Sequence, residues 1–104
     1  MQPAYSQEPQ TYGVFSTIAT NLTDDGKYSA GVAVGTKIYA IPFNQDNVGV
    51  IDTIDGTFST IATNLTGPAK YSAGVAVGTK VYAIPLNQND VGVIDTVTGT
   101  FSTI

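Results

Sequence analysis

The chain has 104 residues, 42% hydrophobic and 12% charged, with eight acids, four bases and a formal charge of −4. All four bases are lysines, and Arg, His, Cys and Trp are absent. These absences exclude a disulfide framework, a thiol nucleophile, a Ser-His-Asp triad and any metal site built on His or Cys.

Other classes fall on the same arithmetic. A net-negative chain without arginine has no basic face with which to neutralise phosphates, so no nucleic-acid partner is expected. No run of 18 apolar residues occurs, so no membrane insertion by a helix is expected. The first ten residues, MQPAYSQEPQ, lack the basic and apolar regions of a signal peptide. Charged residues are about half as frequent as the usual quarter, so the surface must be polar mainly through Thr, Ser, Asn and Gln. Val, Ile and Thr together make up 35 of the 104 residues, whereas Leu occurs three times. Strands favour β-branched side chains and helices favour Leu, so the composition is that of an all-β protein.

Along the chain, residues 1–11 hold two prolines and three glutamines with few apolar side chains, and they read as a flexible or extended arm. Residues 13–20 then contain FSTIAT, a β-branched run expected to form a strand. Residues 28–34 (YSAGVAV) form the next expected strand, followed by a Gly35-Thr36 turn. Residues 37–43, 48–53 and 57–63 complete a run of four, with polar turns between them; Asp55-Gly56 is a strong hairpin dipeptide.

The order then starts again. FSTIATNLT begins at Phe15 and at Phe58, FSTI returns at Phe101, and KYSAGVAVGTK begins at Lys27 and at Lys70. The period is 43 residues with no gap, and 34 of the 43 positions in 15–57 recur unchanged in 58–100. Three of the nine differences are apolar swaps: Ile38 to Val81, Phe43 to Leu86 and Ile54 to Val97. The rest fall in turns and loops: Asp24-Asp25-Gly26 becomes Gly67-Pro68-Ala69, Asp46-Asn47 becomes Asn89-Asp90, and Asp55 becomes Thr98. A recent duplication, or a designed symmetric protein, would diverge in this way.

A 43-residue period, four short strands per unit and a longer fourth-to-first link resemble a β-propeller, whose WD-repeat and kelch blades run about 40–50 residues. The Trp-Asp and Gly-His signatures of the first and the double glycine of the second are missing, so no subfamily is named. The resemblance implies an arm over 1–11, an extra outer strand and link over 12–27, a first blade and link over 28–70, and a second blade over 71–104. Propellers close with about four to eight blades, and two leave both outer faces bare. The expected partner is therefore a second copy of the chain, with three chains giving six blades or four giving eight. The N-terminal strand of one copy would complete the last blade of the next. An excerpt of a longer repeat protein accounts for the clipped FSTI equally well.

Candidate sites are few. Asn21-Leu22-Thr23 and Asn64-Leu65-Thr66 match the N-glycosylation acceptor pattern, which would place the chain outside the cell or at its surface if Asn21 and Asn64 carry glycans. The loops Asn44-Gln45-Asp46-Asn47 and Asn87-Gln88-Asn89-Asp90 repeat on one rim; as a ligand site they would offer amides and a carboxylate to sugar hydroxyls, and as turns they need no ligand. One acid per loop is too little charge for calcium. Asp52 and Asp95 are expected to cap their hairpin turns, and Tyr28, Tyr71, Tyr39 and Tyr82 to pack between blades or line a channel. No paired catalytic arrangement repeats, so neither catalysis nor a cofactor is expected. The leading expectation is a structural, self-assembling unit, and the alternative is a glycan-binding one.

Overall fold

The structure, a computed structural model, describes residues 13–104; the arm expected over 1–11 lies outside the described residues. Among the described residues, eight strands form two four-stranded antiparallel sheets. The first sheet runs β1 (Tyr28–Val34), β2 (Lys37–Pro42), β3 (Asn47–Asp52) and β4 (Thr57–Ala62), in that spatial order. The second repeats it with β5 (Tyr71–Val77), β6 (Lys80–Pro85), β7 (Gly92–Asp95) and β8 (Thr100–Thr103). Each sheet is a meander in which every strand pairs with its neighbour in sequence, and the expected bounds of its strands hold to within a residue.

The turns explain the registers. Gly35, Gly56, Gly78 and Gly99 all take positive φ near 60–69°, which costs a glycine least. The carboxylates of Asp52 and Asp95 cap the β3–β4 and β7–β8 turns. Asp52 Oδ1 accepts from Ile54 N at 2.9 Å and Asp55 N at 3.0 Å; Asp95 Oδ1 accepts from Val97 N at 2.9 Å and Thr98 N at 3.1 Å. These backbone bonds hold both carboxyls below their ordinary value, with Asp55 N–H contributing most at Asp52 and Thr98 N–H at Asp95.

Alternation along the strands gives each sheet two faces. On the first sheet the face bearing Val32, Tyr39, Ile41, Val48, Val50 and Ile61 packs against the face of the second bearing Tyr71, Val81, Ala83, Ile94 and Phe101, and this contact is the core. Gly74 admits that packing, and Gly49 makes room on the other face of the first sheet. A Cβ on Gly74 would lie 2.6 Å from Ile41 Cδ1, so Ile41 fills the space above it. A Cβ on Gly49 would lie 2.8 Å from the ring of Phe58, which reclines across β3 towards Tyr28 with ring centroids 6.3 Å apart. Phe101 repeats this over Gly92 and beside Tyr71.

Residues 13–20, expected as an outer strand that completes a blade of another copy, pair with neither sheet of their own chain, and Phe15 is 90% exposed. The outer positions are already held by β4 and β8, which carry the same FST sequence. Phe58 and Phe101 have a glycine-floored sheet beneath them, whereas Phe15 has none.

Candidate functional site: the joint between the sheets

The site with the most chemistry is the polar half of the sheet–sheet joint. Each link is first stitched to its own sheet. Phe43 N and Gln45 N donate to Lys27 O, and Leu86 N and Gln88 N donate to Lys70 O. The loop after β2 is thereby held against the link that precedes β1, and the loop after β6 against the link that precedes β5.

The first loop then reaches across to the second link. Lys70 N donates to Phe43 O at 2.9 Å, and Ala69 N donates to Asn44 Oδ1 at 2.9 Å. Ser29 Oγ on β1 donates to Tyr71 O on β5 at 2.9 Å. The ammonium of Lys70, fully buried, donates to Asn44 O at 3.2 Å and Gly67 O at 2.6 Å, and pairs with Asp46 Oδ1 at 2.8 Å. A lysine is found this far from water only when its charge is paired and its protons are bonded. Asp46 keeps 59% of its side chain exposed, so the pair sits at a boundary between water and core. A lysine beside a strand start is by default a solvated charge at a rim, and Lys70 departs from that default by being enclosed. Only the loop's carboxylate, 24 residues upstream, could have signalled it.

The first loop spends its side chains on the protein. Asn44 Nδ2 donates to Asp25 O at 3.0 Å, Gln45 Nε2 to Asp24 Oδ2 at 3.0 Å, and Asn47 Oδ1 accepts from Tyr28 Oη at 2.6 Å. Burial pushes the Tyr28 hydroxyl up to about 12. In the second loop, Asn87 Nδ2 bonds Pro68 O and Gln88 Nε2 bonds Thr66 O. Among the described residues, Asn87 Oδ1 and the side chains of Asn89 and Asp90 find no hydrogen-bond partner. Tyr71 Oη is buried without a partner where its counterpart Tyr28 has one. Its hydroxyl is pushed up by burial first and by the charge of Asp90 second.

The two acceptor asparagines lie apart from the joint's bonds. Asn21 and Asn64 are both exposed and both in the left-handed region at φ 61°. Leu22 N and Leu65 N, one residue on, are tied back to Thr20 Oγ1 and Thr63 Oγ1. Asn64 also borders a groove of about 420 Å³ with Asp46, Asn47 and Thr66. Among the described residues no three acidic side chains gather into a metal-binding group. The chain has no match among protein-family models, curated proteins or solved structures.

Proposed function

We propose that the chain is a structural module, a pair of β-propeller blades that assembles with copies of itself into a closed ring and carries no catalytic activity. The observation that carries this reading is the outer face of the second sheet. Val75, Val77, Ile84 and Ile104 are 54%, 64%, 42% and 75% exposed, side by side on one face. Their twins on the first sheet, Val32, Val34, Ile41 and Ile61, belong to the core or pack against it. A contiguous apolar face of this kind marks an association surface. The chemistry of the first loop agrees with it, because Asn44 Oδ1 and the Asp46 carboxylate join the sheets and the other amide groups bond their own link and strand. Native mass spectrometry and light scattering test the reading: a discrete homo-oligomer that persists on dilution is expected, and a monomer at every concentration refutes it.

Glycan binding is the second reading. It draws on the groove beside Asp46, Asn47, Asn64 and Thr66, whose carboxylate, amides and hydroxyl suit sugar hydroxyls. It expects saturable binding on a glycan array that is lost in Asn47→Ala and Asn64→Ala; no binding across a broad array removes it.

A further inference from the structure

The joint inside the chain has two halves, and the 43-residue repeat places a second copy of each half at the opposite ends of the molecule. The donor face of the inner joint consists of Ala30, Val32, Val34, Tyr39, Ile41, Val48, Val50 and Ile61. Shifted by one period, it becomes Ala73, Val75, Val77, Tyr82, Ile84, Val91, Val93 and Ile104, identical at all eight positions and turned outward on the second sheet. The acceptor face, Tyr71, Gly74, Val81, Ala83, Ile94 and Phe101, becomes Tyr28, Gly31, Ile38, Ala40, Ile51 and Phe58 on the outside of the first sheet. One position differs, Val81 against Ile38, by a single methylene.

The polar half repeats too. Asn87 O and Asn87 Oδ1 stand where Asn44 O and Oδ1 receive Lys70 and Ala69, and Leu86 O stands where Phe43 O receives Lys70 N. At the other end Gly26 N, Lys27 N and the Lys27 ammonium stand where Ala69 N, Lys70 N and the Lys70 ammonium donate. Gly26, at φ 56°, has the same left-handed backbone as Ala69 at φ 51°.

We propose that the outer face of the second sheet docks on the outer face of the first sheet of another copy, with Ile84 seated over that copy's Gly31 and its Lys27 buried under the Asn87–Asp90 loop. This rests on the self-assembly reading and specifies its interface. The occupant is a second copy because the two open faces match each other as the two halves of the inner joint do. The contact is head-to-tail, so it closes into a ring or runs on as a filament according to the rotation per copy. The lysine acts as a register key: an ammonium taken from water is tolerated only where carbonyls and a carboxylate meet it. At the inner joint the acid is Asp46 of the loop. Between copies Asn89 holds the position of Asp46, the loop's acid stands one residue on at Asp90, and the link adds two more at Asp24 and Asp25.

The seat gives the test. In a single chain a Cβ on Gly31 would meet only Ile38 Cγ2, at 3.2 Å, whereas at Gly74 it collides with Ile41. Gly31→Val should therefore leave the fold intact by circular dichroism and raise the concentration needed for assembly at least a hundredfold, read by sedimentation velocity. Ile84→Ser, at a position already partly exposed, should do the same and guards against misfolding of the first variant. If the wild type assembles and both folded variants assemble as it does, this interface is wrong while self-assembly stands. If the wild type is monomeric throughout, both readings fall.

Discussion

Replacing Ile41 with alanine should cost about 4 kcal/mol of stability, and the position opposite should report the cause. Ile41 is fully buried, and its Cδ1 and Cγ1 fill the space above Gly74. Ile→Ala removes three carbon groups, worth ~0.8 kcal/mol each when buried, or about 2.4 kcal/mol of lost transfer energy. A residual void of roughly 60 Å³, at about 24 cal/mol per Å³, adds ~1.5 kcal/mol, because two hydrogen-bonded sheets cannot collapse onto a glycine. Urea unfolding followed by circular dichroism measures the loss. Gly74→Ala alone should also destabilise, by about 1–3 kcal/mol, since its methyl has to displace Ile41. In the Ile41→Ala background that methyl enters the void, and the same change should be neutral or stabilising. Such a reversal of sign is a coupling that only direct contact produces. If Gly74→Ala costs the same in both backgrounds, Ile41 does not seat over Gly74 and the packing described for the joint is wrong.

Three further outcomes follow from the polar groups. The Tyr28 hydroxyl, raised to about 12 by burial, disfavours its charged form in the fold, so its contribution is complete below the ordinary tyrosine value and is lost between about pH 10 and 12; absorbance titration at the tyrosinate band should show a late component that Tyr28→Phe removes. Asp52 and Asp95 are lowered, so their stabilisation is complete above the ordinary carboxylate value and disappears as pH falls below about 4; Asp52→Asn with Asp95→Asn should flatten the acid limb of stability against pH, and an unchanged limb would assign it elsewhere. Asp46→Asn should lower the urea midpoint without changing the mass of the assembly, whereas Asp24→Asn with Asp25→Asn should weaken assembly and leave the midpoint of the dissociated chain nearly unchanged; the reverse pattern would mean that the acids serve the opposite joints.

What could be read from the sequence was whatever the period of two and the repeat encode. Strand positions follow from β-branched runs bounded by Gly-Thr and Asp-Gly turns, and Asp52 and Asp95 declare themselves as caps because an acid two and three residues before free turn N–H groups has one obvious use. Lys70 did not declare itself. Its burial depends on a carboxylate and two carbonyls brought in from separate segments, and a single lysine looks the same in sequence whether it is solvated or enclosed. The run over 13–20 is unpaired within its own chain for a related reason. FSTIAT has strand composition in all its settings, but a strand exists only where an edge is open to it, and composition carries no information about occupancy of that edge.

The nine differences between the repeats are themselves distributed by function. One, Val81 for Ile38, lies on a packing face, and two lie at exposed hairpin turns, Ile54 with Asp55 against Val97 with Thr98. The other six, at 24, 25, 26, 43, 46 and 47, lie in the link and loop that form the polar half of the joint. Apolar packing is non-directional, and two nearly identical faces cannot by themselves tell an inner joint from an outer one. A buried ammonium can, because its stability depends on where the acid stands, and a misplaced acid leaves a charge unpaired in a site that excludes water. The repeats have kept this lysine in each link while shifting the loop's acid by one residue and placing two further acids in the first link alone. Under the self-assembly reading, that shift lets a chain hold its own two sheets together by one arrangement of charges and meet its neighbour by another, with the apolar faces common to both.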